Sequence, residues 1–128
     1  MRRILTLTLI LCVAAACSPA GRNADTDFPP GDAARGAVWF TESLGGAPAC
    51  STCHTLDGTK LTGPSFQGFS AAASTRIEGL CAEDYVHTSI MRPADYLVNG
   101  FGNSMYNQYG QRLSPQQIAD LTAYLLTL

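Results

Sequence analysis

The chain has 128 residues with a formal net charge of −2, a length that allows one domain and little more. Eight Lys+Arg against ten Asp+Glu, with no basic cluster, leave nothing for a phosphate backbone to bind and exclude nucleic acid as a partner.

Taken in chain order, the first sixteen residues stand apart. Arg2 and Arg3 make a basic start, residues 4–13 an apolar stretch, and Ala14, Ala15 and Ala16 a small-residue end. That is the layout of an export signal, too short for a dedicated membrane span. Cys12 lies inside the apolar stretch and leaves with it. Cys17 follows the three alanines directly and resembles the lipobox cysteine of bacterial lipoproteins, although Ala14 stands where leucine is usual. The resemblance implies a lipidated Cys17 as the mature N-terminus, held on the extracytoplasmic side of a membrane by its acyl chains. The alternative is plain signal cleavage with Cys17 incidental. Residues 18–30 are polar and Pro-containing without apolar period, which predicts a flexible tether of roughly 20 Å root-mean-square length. The division is then 1–16 signal peptide, 17–30 lipidated N-terminus and tether, and 31–128 a folded domain.

Asp32 is a candidate N-cap, and Ala33, Gly36, Ala37 and Phe40 follow on one helical face. Gly36 is unfavourable inside a helix and calls for a close helix crossing. Residues 43–49 are a Gly/Pro loop. Next comes Cys50-Ser-Thr-Cys53-His54, a C-x-x-C-H motif. This spacing is the attachment signature for c-type haem. Two thiols three positions apart share one face of a helical turn and can reach both vinyl groups on one side of a porphyrin. The next residue, His54, can then offer its imidazole to the iron as proximal ligand. A thioredoxin-like redox pair and half a zinc site are the competing readings. Zinc requires two further ligands at short spacing, yet His87 is the one other histidine and no second C-x-x-C exists. Thioredoxin requires a strand–helix–strand alternation that the pattern lacks.

Asp57-Gly58 and Thr62-Gly63-Pro64 are turn signals, and residues 70–75 suit a short helical piece. Residues 83–91 predict a helix with Tyr85, Val86 and Ile90 inward, stopped by Pro93. Residues 96–98 read as extended or turn, and residues 99–112 as a Gly/Asn-rich loop. Ser114-Pro115-Gln116-Gln117 is a capping box with proline at N1. It opens a final helix whose apolar positions are Ile118, Leu121, Leu125 and Leu128, with Tyr124 adjoining. The fold class expected is all-α: short helices packed around one covalently bound haem.

A low-spin electron carrier needs a sixth iron ligand, and with Met1 in the signal the candidates are Met91, Met105 and His87. Mid-helix His87 reads as an exposed surface histidine, and Met91 as core filler. Met105 sits in the loop, which can wrap to the opposite haem face. Its soft sulfur would favour reduced iron.

By these landmarks the chain resembles the class I mono-haem cytochromes c over residues 31–128. Gly31, Asp32, Gly36 and Phe40 are similar to the family's N-terminal helix. Gly63-Pro64 is similar to its G-P turn, which implies the Pro64 carbonyl as acceptor for the His54 Nδ1–H. Tyr85, Ser89, Ile90, Pro93, Gly100, Phe101, Met105, Leu121, Tyr124 and Leu125 resemble the cytochrome domains fused to or associated with bacterial terminal oxidases. They also resemble the small mono-haem lipoprotein subunits of membrane quinol-oxidising complexes, including alternative complex III. The resemblance implies Met105 as sixth ligand, redox-protein partners among such complexes, electron transfer rather than enzymatic turnover, and Gly36 and Phe40 packed against Leu121 and Tyr124. The alternative function is a haem peroxidase or gas-binding sensor with an open sixth position.

Three departures stand out. Tyr106 replaces the proline that usually follows the ligand methionine. The stretch between Phe40 and Cys50 is longer than in the mitochondrial type, either a contact surface or an idle insertion. Cys81, at a helix N-cap position, is an extra thiol, read as inert and partly buried or, alternatively, bridged to a partner subunit.

Overall fold

In the computed structural model the described residues are 28–128. The expected signal peptide, Cys17 and most of the expected tether lie outside them. Five helices follow in chain order: α1 (Ala33–Thr41), α2 (Phe69–Ala73), α3 (Ala82–Met91), α4 (Tyr109–Arg112) and α5 (Pro115–Leu125), with a 3-10 turn at Cys50–Thr52 between α1 and α2. Among the described residues there is no strand, and the fold is the expected all-α one.

The frame is the crossing of α1 and α5. Asp32 starts α1, its carboxylate accepting the N–H groups of Ala34 at 2.9 Å and Arg35 at 3.1 Å. Ser114 starts α5 through the capping box: Ser114 Oγ accepts the Gln117 N–H at 3.2 Å, and Gln117 Oε1 accepts the Ser114 N–H at 2.9 Å. Both ends satisfy backbone donors that a helix leaves unpaired. Where the helices cross, Gly36 lies so close to α5 that a Cβ there would overlap the Asp120 carbonyl oxygen and stand 2.7 Å from Tyr124 Cβ. Phe40 continues the contact, its ring 5.7 Å from Tyr124 and 5.9 Å from Phe66. The expected pairing with Tyr124 is present. The group facing Gly36, however, is the Asp120 backbone rather than Leu121, because the helices approach too closely to admit a side chain. Leu121 turns into the core instead.

Asp120 is the other surprise at this crossing. It is 1% exposed and accepts five hydrogen bonds: from Asp32 N–H (2.8 Å), Arg35 Nε and Nη2 (2.9 Å each), Gln116 Nε2 (2.9 Å) and Trp39 Nε1 (3.3 Å). A buried carboxylate is tolerable when its lone pairs are this fully occupied. The Arg35 hydrogen bond, before the others, holds its carboxyl well below the usual carboxylate range. A depressed folded-state pKa contributes stability that is present above the unfolded value of about 3.9 and is lost as pH falls through the folded one. Asp120→Asn is therefore expected to lower stability at pH 7 by about 2 kcal/mol, the scale of hydrogen bonds to a charged group. It should also flatten the loss of Tm between pH 5 and acid, in a calorimetric series run on both proteins.

α3 buries Tyr85, Val86 and Ile90, as its periodicity predicts. Two features depart from expectation. The stretch 99–112 is not all loop, since α4 closes it. Four residues are too few to show a period, and the burial of Tyr109 is what fixes this turn. The last residues of the expected tether also pack on the domain: the Phe28 ring lies 4.2 Å from His87, and the Pro30 carbonyl accepts from Gln116 Nε2 at 3.0 Å.

Candidate cofactor site

The 3-10 turn at Cys50–Thr52 builds the first wall. Both Cys53 N–H (3.1 Å) and His54 N–H (3.0 Å) donate to the Cys50 carbonyl. This tight turn brings two thiols and an imidazole to the same side of the chain. Burial pushes the Cys50 thiol up to about 11. Cys50 and Cys53 are not joined by a disulfide. Among the described residues no group of three or more His, Cys, Asp or Glu side chains could hold a metal ion between them.

His54 is held from three directions. Its Nδ1 lies 2.7 Å from the Pro64 carbonyl oxygen. A carbonyl can only accept, so Nδ1 carries the proton and Nε2 keeps its lone pair. Phe66 stacks on the ring at 4.5 Å and 17°. Gly63 closes the third side, and a Cβ there would overlap the imidazole. The Gly63 N–H to the Cys53 carbonyl (2.9 Å) and the Phe66 N–H to the Thr55 carbonyl (2.8 Å) fasten this turn to the cysteine segment. Burial, opposed by the Pro64 hydrogen bond, lowers the pKa of His54, which favours the neutral ring.

These residues line a cavity of about 360 Å³, within the range of ligand and cofactor clefts. Phe69, Val86, Ile90, Leu121 and Leu125 make much of its apolar wall, and Arg76 is the one permanent charge that the described residues place on it. Of the candidate site residues, Cys50, Cys53, His54, Pro64 and Met105 are brought together around this single space. Cys17 lies outside the described residues.

The other two sulfur and imidazole candidates are elsewhere. His87 is absent from the cavity lining. It is also not the exposed histidine expected, being half-buried against Phe28. Met91 is not core filler: it is 37% exposed at the end of α3. Cys81 holds the N-cap position of α3, half-buried, with Sγ donating to Asp84 Oδ2 at 3.1 Å. Phe66, Phe69, Arg76 and Tyr109 are lining residues that sequence pattern did not single out. Arg76 carried a faint signal, as the one cation between Lys60 and Arg92. Tyr109 carried none, because its partner lies 61 residues away: its hydroxyl donates to the Pro48 carbonyl at 2.9 Å. Burial pushes its pKa up, so the hydroxyl stays a donor.

The family model for cytochrome c matches residues 33–128. The chain belongs to the cytochrome c family. No curated protein gives a significant match. The cofactor of a cytochrome c is covalent haem c with its iron, and its work is electron transfer. The residues present fit that group. An apolar cleft takes a porphyrin face, the C-x-x-C-H motif opens onto it, a neutral imidazole has its Nε2 lone pair uncommitted, and a thioether lies on the same lining.

Proposed function

We propose that this cytochrome c is a membrane-tethered, extracytoplasmic one-electron carrier that works with, or as a subunit of, a quinol-oxidising or terminal oxidase complex. Cys50 and Cys53 form the thioethers, His54 is the proximal iron ligand and Met105 the sixth ligand. The observation that carries this reading is the common lining of the cavity by Cys50, Cys53, His54 and Met105, with the His54 Nδ1–H committed to Pro64.

Haem c supplies a reversible Fe(III)/Fe(II) couple. The protein's part is to hold it and tune it. Pro64 fixes the imidazole plane and raises its basicity through the Nδ1 hydrogen bond. Phe66 and Gly63 stop the ring from rotating. The apolar wall would keep water out, which lowers the solvent reorganisation that accompanies electron transfer. Arg76 would pair with a propionate. Met105 Sδ, a soft donor, favours the reduced state. With His54 and Met105 both holding the iron, no position would be left for a substrate, which separates this reading from a peroxidase or gas binder.

The tether rests on the basic, apolar and small-residue layout of residues 1–16 and on Cys17 after it. A leash that runs from Cys17 to the packed Phe28 would keep the haem domain near the membrane, within reach of membrane-bound redox partners. The spectrum of the haem-loaded protein tests the core of the proposal. A low-spin ferric form with the far-red sulfur-to-iron charge-transfer band, and a reduced form slow to bind carbon monoxide, are the expected results. Rapid carbon monoxide binding would favour the open-site alternative. Cys17→Ser is expected to move the protein from the membrane to the soluble fraction; unchanged membrane partition would remove the lipid anchor from the proposal.

A further inference from the structure

The loop that brings Met105 to the cavity has few backbone ties of its own. Between residues 98 and 105 its backbone hydrogen bonds are local turns, Phe101 N–H to Val98 and Ser104 N–H to Gly102. Its fastening comes from elsewhere. Tyr109, four residues after Met105, is 7% exposed and donates its hydroxyl hydrogen bond to the Pro48 carbonyl, two residues before Cys50. Tyr106, next to Met105, packs its ring edge-on against Tyr109 at 5.1 Å. Tyr109 itself lines the cavity, as do Tyr106 and Pro48.

The segment leading to Pro48 is built to receive this contact. Ala47 N–H closes a turn onto the Leu44 carbonyl at 2.8 Å, and Ala47 is 1% exposed within the core cluster. Gly45, with φ of 57° in the left-handed region, sits flat against α4: a Cβ there would come 2.6 Å from the Arg112 carbonyl oxygen. The segment therefore touches the methionine side of the molecule at two points, Pro48 with Tyr109 and Gly45 with Arg112. Its core end is anchored by Ala47.

We propose that residues 43–48 form an internal strap that fixes the Met105 loop over the cavity, with Tyr109 as the positioning residue that ties this loop to the chain entering Cys50. The extra length between Phe40 and Cys50 is then neither a contact surface nor an idle insertion. It is the brace that sets where the methionine sulfur lies and how readily it leaves. The hydrogen bond acts as a cross-link between the covalently attached side of the site and the detachable one. Losing it releases the loop while the helical frame of α1 and α5 stays in place.

This inference rests on the reading of Met105 as sixth ligand. Its test uses the haem-loaded protein, with Tyr109→Phe keeping the ring and removing the donor. Gly45→Ala forces the strap off Arg112 by a separate route. Three readouts are taken: temperature loss of the far-red charge-transfer band, helical melting by far-UV circular dichroism, and imidazole affinity of the ferric form. In Tyr109→Phe, one buried net hydrogen bond is lost, so imidazole affinity is expected to rise about threefold to tenfold. The band should vanish at a lower temperature while the helical melt moves less, and Gly45→Ala should shift both in the same direction. Unchanged imidazole affinity in both variants, or band and helix melting falling together by the same amount, would overturn the strap. A wild-type protein without the band would instead remove Met105 as ligand, and the strap's function with it.

Discussion

Met105→Ala is expected to convert a six-coordinate low-spin haem into one with an open or water-filled sixth position. The ferric charge-transfer band disappears, the reduced protein binds carbon monoxide rapidly, and the reduction potential falls by on the order of 0.1–0.2 V, a fraction of the range that axial ligands command. The direction follows from the donor. A thioether is soft and stabilises Fe(II); water or an empty site does not. The fold should survive. Met105 is half-buried on the cavity wall, away from the α1–α5 crossing, so the truncation costs roughly 1–2 kcal/mol of lost burial. His87→Ala and Met91→Ala are the matched controls, since neither residue lines the cavity, and both should leave the spectrum as it is. Loss of the band in Met91→Ala, with its retention in Met105→Ala, would reverse the assignment. Potentiometry and carbon monoxide flow mixing on the three variants decide it.

Gly36→Val should be the most damaging single change outside the site. Overpacking a core usually costs about 1–3 kcal/mol because side chains can shift. Here the obstacle is the Asp120 carbonyl and the Tyr124 Cβ, both fixed to the helix. The helices must separate to admit even one methyl. Separation also stretches the hydrogen bonds from Asp32 N–H and Arg35 to the Asp120 carboxylate, which leaves a buried charge poorly paired. A loss of more than about 3 kcal/mol is expected, read as a fall in the denaturant midpoint of the haem-loaded protein, with low recovery of folded material. A cost below about 1 kcal/mol would show that the crossing is looser than described.

Local signals carried most of what the amino-acid sequence revealed. Cys50 to His54 works within five residues, the Ser114 box within four, and the Asp32 cap within four, so each is readable without knowing the fold. Gly36 was legible as an anomaly, a helix-weakening residue that needs a reason. The identity of its partner was not, because the group opposite is a backbone carbonyl, which every residue has. The same limit hid Asp120. Its donors Asp32, Arg35 and Trp39 lie more than 80 residues away, and one acidic residue in a helix carries no label of its own. His87 and Met91 were misjudged in opposite directions for one reason. The surface of α3 that is covered depends on distant packing such as that of Phe28, which the periodicity of residues 83–91 does not contain. The Tyr109–Pro48 tie spans 61 residues and depends on a hydroxyl that sequence pattern cannot tell from the many tyrosines used for packing alone.

Covalent attachment of the cofactor is the central claim, and intact-mass spectrometry of protein matured in its own host tests it most directly. The predicted result is the mature polypeptide plus one haem, with the added mass surviving acid–acetone extraction and lost in a Cys50→Ala, Cys53→Ala double variant. A mass with no haem added, or a porphyrin that extraction removes, would contradict it.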